Sequence, residues 1–222
     1  MLIDRFSETR RRHPLTEGER PLGEALDQEA ELLQPVRDQA ELIIDTYGAD
    51  TARLFMLSDS PPDRDLEWTD TGVEGAWRYL NRLWRLITET PAAPKDTPAP
   101  DGLDDAAVAV LRNVHQTIAA VTEGLERFRF NRSVAHVREL TNALADYKDE
   151  GPVHDHVRRF ALETVVQMIG PMMPHIAEEM WHHLGHDTLL ADAPWPQADP
   201  AYLVDETVTI DRKSTRLNSS HS

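Results

Sequence analysis

The stretch "TDTGVEGAWRYLNRLWRLITET", residues 69–90, decides the fold class of this chain. Its apolar residues recur at helical spacing, and one stripe holds Trp77, Leu80, Trp84 and Ile87. At a rise of 1.5 Å per residue, the segment predicts a helix of roughly five turns. Because both Trp residues share the stripe with Leu80 and Ile87, we expect them to lie in the protein core rather than to stack on a base.

Capping residues mark the expected helix boundaries. Thr71 and Glu74 have the spacing of a capping box at the start of this helix. Asp50 is expected to cap a preceding helix, and Asn131 a later one. Three further residues mark ends or starts: Gly48 and Gly185 as C-terminal stops, and Pro152 at a first helical position.

Helical periodicity continues through most of the remaining chain. Further helices are predicted over residues 103–128, 132–148, 152–170 and 173–185. Residues 91–102 carry four prolines, which exclude a helix and predict a linker or long surface loop. Residues 188–210 predict an extended arm that ends in the start of a strand, Glu206–Ile210. The chain is therefore predicted to be all-α, a helical bundle with an extended C-terminal arm.

The composition limits the possible functions. The chain has 222 residues, a formal net charge of −16 and no Cys, which excludes disulfides, thiolate catalysis and Cys-based zinc sites. The lack of Cys fits a reducing compartment, and we expect the cytoplasm. No run approaches the roughly 18 apolar residues of a membrane span, so no membrane partner is expected. An acidic chain repels phosphate backbones on average, so binding of nucleic acid requires a local basic face.

No complete catalytic or metal site is visible in the sequence. It contains no phosphate-binding Gly loop of the GxGxxG or GxxxxGK[ST] type and no GxSxG elbow. His175 and Glu179 share a helix face with His182 or His183, which leaves a histidine-ligated metalloenzyme as one alternative. The spacing is not that of an H-E-x-x-H motif, and packing or capping roles are favoured. We therefore assign no catalytic residue, no cofactor-binding residue and no metal ligand.

Two clusters of arginine could provide the local basic face. Six residues are candidates for contacting a phosphate backbone: Arg78, Arg82 and Arg85 on one helix face, and Arg127, Arg129 and Arg132 where two later helices meet. Phe128 and Phe130 alternate with the second cluster, and Arg158 and Arg159 follow in a third helix. The alternative is that each Arg pairs with a nearby Asp or Glu across the bundle.

The amino-acid sequence of four segments resembles that of leucyl-tRNA synthetases of bacterial type, which are class I aminoacyl-tRNA synthetases. They are "IIDTYGADTARLFMLSDSPPDRDLEWTDTGVEGAWRYLNRLWRL" (43–86), "HQTIAAVTEGLERFRFNRSVAHVRELTNAL" (115–144), "MIGPMMPHIAEEMWHHLG" (168–185) and "TLLADAPWPQADPAYLVDETVTI" (188–210). The resemblance covers about residues 40–210 and implies a helical bundle of the anticodon-binding type.

The resemblance also implies a function and partners. In this family the bundle is thought to hold the body of tRNA(Leu), while a catalytic domain joins leucine to the tRNA with ATP and Mg²⁺. The H-I-G-H and K-M-S-K-S motifs of that domain are absent from this sequence. We therefore expect a tRNA-binding fragment of leucine–tRNA ligase, inactive alone, with tRNA(Leu) and the missing catalytic domain as partners, and not DNA. The alternative is a free-standing helical protein-interaction module without enzymatic activity.

The expected domain organisation follows the resemblance. It comprises an unmatched, non-native or disordered segment (1–38), a connector after the catalytic domain (39–70), the bundle with its loop 91–102 (71–187), an extended connector and strand start (188–210), and an artefactual tail, "DRKSTRLNSSHS" (211–222). Without the catalytic domain, Phe55 and Leu57 are the candidates for exposed apolar surface.

Overall fold

The computed structural model describes Gln34, Asp38, residues 41–59 and residues 69–204. Its helices are α1 (Ala49–Asp59), α2 (Asp70–Glu89), α3 (Asp105–Glu126), α4 (Phe130–Asp146), α5 (Pro152–Ile169) and α6 (Pro174–His183). A helical segment at residues 41–47 precedes α1, and two 3-10 turns, Leu190–Asp192 and Pro200–Tyr202, follow α6. Strands are absent from the described residues, which confirms the predicted all-α class.

The core is centred on α5. This helix contacts α3, α4 and α6, and α3 also packs against α4. Leu162, Val165 and Val166 of α5 are completely buried, as are Val114 of α3 and Leu140 of α4. Helix α2 contacts α1, α4 and α6, and its opposite face carries exposed side chains. That outer face of α2 is where the first arginine cluster lies.

Two glycines allow neighbouring helices to approach closely. A Cβ atom at Gly124 of α3 would lie 2.3 Å from Ser133 Oγ of α4. A Cβ atom at Gly72 of α2 would lie 2.5 Å from Cε2 of Phe55 in α1. A larger residue at either position would clash with these side chains unless they shift, so the glycines permit the close approach of the α3–α4 and α1–α2 pairs.

The predicted N-caps of α2 and α4 are wrong. Helix α2 is capped by Thr69, whose Oγ1 accepts a hydrogen bond from the Gly72 N–H at 3.3 Å, two residues before the predicted Thr71. Asn131 lies inside the first turn of α4, which has no side-chain cap. The sequence pattern placed the helices correctly, but the exact first residue depended on local backbone geometry.

The predicted helix stops and the Pro start are confirmed. Gly48 and Gly185 adopt left-handed φ angles of 88° and 89°, which L-residues rarely take. Pro152 is the first residue of α5. Asp50, in contrast, lies within α1 rather than at its start, and its carboxylate accepts a hydrogen bond from the Ile176 N–H of α6. It caps α6 instead of its own helix.

The predicted burial of the two Trp residues is wrong. Leu80 and Ile87 are buried, but Trp77 and Trp84 remain 44% and 38% exposed. The buried face of α2 is completed by other residues, namely Val73, Ala76, Tyr79 and Leu83. The Trp pair lies at the edge of the apolar stripe, where Tyr47 and His183 cover the two rings only in part, with 6.3 Å between ring centres in each pair.

The candidates for exposed apolar surface also differ from the prediction. Phe55 is buried against Gly72, and Leu57 is half-buried. The exposed apolar side chains of this region are Leu42, Ile44 and Met56. Phe55 was misjudged because the glycine that receives its ring lies on another helix.

The described part of the C-terminal arm, residues 188–204, contains two 3-10 turns and no α-helix, and it contacts α3. Trp195 Nε1 donates a hydrogen bond to Thr122 Oγ1 of α3 at 2.8 Å. The Asp199 N–H donates to His115 Nδ1 of the same helix at 3.2 Å. The predicted strand start, Glu206–Ile210, lies outside the described residues. None of the described helices is both long enough and apolar enough to cross a membrane.

Candidate nucleic-acid interface

The first arginine cluster lines an open groove on the outer face of α2. Arg78, Arg82 and Arg85 are exposed at successive turns of the helix, because residues spaced by three and four share one helix face. The groove has a volume of about 760 Å³. Its remaining lining residues are Gly75, Trp77, Tyr79, Asn81, Trp84 and Arg138. The face therefore combines three arginines with two exposed indole rings.

The three arginines differ in their partners. Arg78 Nη1 lies 3.3 Å from Glu74 Oε2, one turn earlier, in an exposed ion pair. Arg85 donates from Nε to the Asn81 carbonyl oxygen at 3.4 Å. Neither Arg82 nor Arg85 has a carboxylate within 4.0 Å among the residues the structure describes. Their charges are thus screened only by solvent and remain available to an anion.

Arg138 of α4 also lines this groove, although it belongs to neither predicted arginine cluster. Its guanidinium carbon lies 4.6 Å from the centre of the Tyr79 ring, and that of Arg82 lies 5.7 Å from the same centre. The Tyr79 hydroxyl is 3.5 Å from Thr141 Oγ1 of α4. Burial raises the pKa of Tyr79, although the hydrogen bond to Thr141 and the two guanidinium groups act in the opposite direction. Tyr79 is therefore neutral at pH 7. No local pattern marks Arg138, because only the packing of α4 on α2 brings it here.

A second groove continues from Arg82 and Arg85 toward the C-terminal end of α4. It has a volume of about 740 Å³ and includes Lys148. It also contains the carboxylates of Glu89, Glu150 and Asp155. The positive potential is consequently concentrated in the first groove.

The second predicted cluster forms the corner between α3 and α4. Arg127 Nη1 lies 2.8 Å from Glu123 Oε1 in an exposed pair. Arg129 and Arg132 are exposed and have no carboxylate within 4.0 Å in the described part of the chain. Phe128 is 67% exposed, with a φ of 55° that is uncommon for a residue with a side chain. None of these residues lines the groove on α2, so the two clusters are separate surfaces.

Arg158 and Arg159 are not available to a nucleic acid. Arg158 is buried and donates hydrogen bonds to the carbonyl oxygens of Pro91 (3.0 Å) and Asp149 (2.6 Å). Arg159 donates to Glu163 Oε1 at 2.7 Å and also to the Leu184 carbonyl oxygen. Both side chains hold loops onto α5, so their suggested role at a phosphate backbone is wrong.

The histidines make separate structural contacts. His175 Nδ1 lies 3.2 Å from Asp50 Oδ1. His186 Nε2 lies 2.6 Å from Glu163 Oε1, and its ring stacks on Trp181. Among the residues that the structure describes, no group of three or more His, Asp or Glu side chains could hold a metal ion.

Comparisons with known proteins agree with this architecture. The family model "Anticodon-binding domain of tRNA ligase" matches residues 108–219, and the model "RapZ-like N-terminal domain" matches residues 1–56. The leucine–tRNA ligase of Rhodospirillum rubrum is 56% identical over 172 residues, which are 76% of this chain and 20% of that protein. That of Paramagnetospirillum magneticum is 55% identical over 168 residues, 76% of this chain and 19% of that protein.

A solved structure shows the same fold. The agnB2 LeuRS of Agrobacterium radiobacter K84, crystallised as a ternary complex with tRNA and LeuAMS, matches with a TM-score of 0.64 at 26% identity. The match covers 75% of this chain and 21% of that one. This chain spans about one fifth of the length of the leucine–tRNA ligases it matches. Since the first family model covers half of it, the chain belongs to the anticodon-binding domain family of tRNA ligases.

Proposed function

We propose that the bundle binds tRNA(Leu) through its phosphate backbone, with Arg78, Arg82 and Arg85 as the principal contacts and the Arg127, Arg129 and Arg132 corner as a second one. The observation that carries this proposal is the exposure of Arg82 and Arg85, unpaired with any described carboxylate, in an open groove of a protein with a net charge of −16. Arginine side chains that face solvent in this way suit backbone contacts, which carry no sequence information.

In this proposal, the bundle positions tRNA(Leu) in the cytoplasm for the reaction of the longer relatives, in which a catalytic domain uses leucine, ATP and Mg²⁺. The described residues offer no converging set of metal ligands, and the sequence has no phosphate-binding Gly loop. We therefore assign this chain the binding of tRNA and no chemical step.

Fluorescence anisotropy with labelled tRNA(Leu) at several salt concentrations tests the proposal. Arg82→Glu should weaken binding about ten-fold or more, because a contact with the backbone becomes a repulsion. The matched control is Lys95→Glu, which makes the same charge change in the loop 91–102. Equal weakening by both variants, or binding that does not depend on salt, would defeat the proposal.

A protein-interaction module is the second candidate function. The exposed rings of Trp77 and Trp84, beside Tyr47, line a groove of about 520 Å³ on the side of α2 toward α6. Exposed aromatic clusters of this kind are typical of protein interfaces. This candidate predicts that Tyr47→Ala, in this groove but outside the arginine groove, weakens a protein contact and leaves tRNA affinity unchanged. Co-sedimentation with the catalytic domain of a relative, added in trans, measures the protein contact.

A further inference from the structure

Two guanidinium groups from different helices meet at one buried aromatic ring. Arg82 of α2 and Arg138 of α4 lie with their central carbons 5.7 and 4.6 Å from the centre of the Tyr79 ring. Both distances lie within the range of cation–π attraction. The ring itself is almost fully buried. Both arginines also line the same groove on α2.

Nothing in the described part of the chain neutralises this pair. Neither guanidinium has a carboxylate within 4.0 Å among the residues that the structure describes. Cation–π contacts with one ring compensate a positive charge only partly. Two like charges at short range repel each other unless an anion lies near both of them. The arrangement consequently favours a bound anion.

The Nε atom of Arg138 provides a second, independent observation. It is buried and has no hydrogen-bond partner among the described residues. Buried donors without a partner are rare in folded proteins, because each one costs free energy. The rest of the Arg138 side chain reaches the groove that also exposes Arg82. The buried Nε cannot itself contact a ligand in the groove, but it indicates that the Arg138 side chain is packed in place before any ligand arrives.

The environment selects an oxyanion that two arginines can share. A guanidinium offers five N–H donors in a planar fork that matches the oxygens of a phosphate. The groove is open along α2, so it admits a chain and not only a small ion. Arg78 and Arg85 lie one turn away on either side of Arg82 and would contact neighbouring phosphates.

We propose that Arg82 and Arg138, held against Tyr79, form one site that binds a single phosphodiester of the RNA backbone. The proposal rests on the proposed function and deepens it: it names a residue that the helix pattern of α2 cannot supply. Because the site spans α2 and α4, it exists only while the two helices are packed together. Tyr79 is a positioning residue in it, and the two arginines are the ligands.

The dependence of tRNA(Leu) affinity on salt tests this sharing. Each phosphate contact contributes about 0.7–0.9 to the slope of log K against log salt. Because the proposed site needs both guanidinium groups to hold its one phosphate, Arg82→Met and Arg138→Met should each reduce the slope by about one, and the double variant should reduce it by no more than about one. A reduction of about two in the double variant would show two independent contacts and overturn the shared site. The matched control is the double variant Arg132→Met with Arg138→Met. Its two arginines lie on separate surfaces, so their reductions of the slope should add.

The result separates this inference from the proposed function. If the unaltered chain shows no salt-dependent binding of tRNA(Leu), the proposed function fails. If it binds but Arg138→Met leaves slope and affinity unchanged, only the shared site fails. Circular dichroism melting of each variant excludes misfolding as the cause of a reduced slope.

A free anion is the competing source of the same chemistry. Binding of inorganic phosphate, followed by ³¹P NMR line broadening, should be weak and should disappear in Arg138→Met together with the tRNA contact. If Arg138→Met abolishes the line broadening of phosphate but leaves the salt slope of tRNA(Leu) binding unchanged, the site holds a free anion and the RNA assignment is overturned.

Discussion

The Asp50 carboxylate of α1 accepts a hydrogen bond from the backbone N–H of Ile176, the third residue of α6, at 2.7 Å. The two residues are 126 positions apart in the sequence. The other carboxylate oxygen lies 2.8 Å from Arg53 Nη1. Helix α6 has no side-chain cap of its own, so a neighbouring helix provides the acceptor that its first turn requires. The contact ties the first helix of the described bundle to the last.

Replacing Asp50 should destabilise the bundle. Asp50→Ala leaves the Ile176 N–H without this acceptor and removes the ion pair with Arg53, which we expect to cost about 1–3 kcal/mol of unfolding free energy. Urea denaturation measures the change. Asp45→Ala, at an exposed position of the segment 41–47, is the matched control and should change stability by less than about 0.5 kcal/mol. Equal stability of the two variants would show that the capping bond contributes nothing.

The close approach of α3 and α4 gives a second prediction. Gly124→Ala would normally stabilise a helix by up to about 1 kcal/mol. Here the new Cβ would lie 2.3 Å from Ser133 Oγ, so we expect a net loss of about 1–3 kcal/mol instead.

A second substitution shows whether that clash is the cause. Ser133→Ala removes the hydroxyl and leaves the Ser133 Cβ position 3.6 Å from the new atom, an ordinary contact. The variant Gly124→Ala with Ser133→Ala should therefore recover much of the stability lost in Gly124→Ala alone, as thermal melting can measure. An undiminished loss in the double variant would locate the strain elsewhere.

Helical periodicity predicted the helices of the bundle, and the positions of proline predicted the loop 91–102 and the start at Pro152. All of these depend on local patterns, but the use of local patterns also had limits. It failed for Trp77 and Trp84, since a stripe shows which side of a helix is apolar but not how far the neighbouring helices cover it. It failed for Asp50 because the N–H group that the carboxylate binds belongs to α6.

The candidate site was found only in part for the same reason. Arg78, Arg82 and Arg85 share a face by spacing alone, and the structure places them together. Arg138 and Arg158 have the same chemistry in the sequence, yet one enters the groove and the other is buried beneath Pro91. Tertiary packing, which no short pattern contains, separates the two.

The catalytic assignment makes a prediction that does not depend on tRNA. The sequence lacks the H-I-G-H and K-M-S-K-S motifs, so we expect no leucine-dependent exchange between ATP and pyrophosphate above background. The assay uses the purified chain with radiolabelled pyrophosphate, and a leucine–tRNA ligase of one of the relatives provides the positive control. Robust exchange that requires leucine would contradict the reading of this chain as a binding part only.

The stability of the C-terminal arm should depend on pH through His115. Its Nδ1 accepts the Asp199 N–H at 3.2 Å, and its ring stacks on Tyr202 and lies against Phe160 of α5. Burial lowers the pKa of His115, and the charge of Asp199 only partly opposes this. The usual pKa of His is about 6.5, so below that pH the unfolded chain binds a proton that the folded chain resists.

Stability is therefore expected to fall as the pH drops below about 6.5, because the unfolded state then binds more protons than the folded state. Protonation of Nδ1 would also place an N–H against the Asp199 N–H and release the arm. His115→Gln removes the titrating group, so its unfolding free energy should decline less steeply between pH 7 and pH 5 than that of the unaltered chain. Parallel pH profiles for the unaltered chain and His115→Gln would show that another group governs the acid sensitivity.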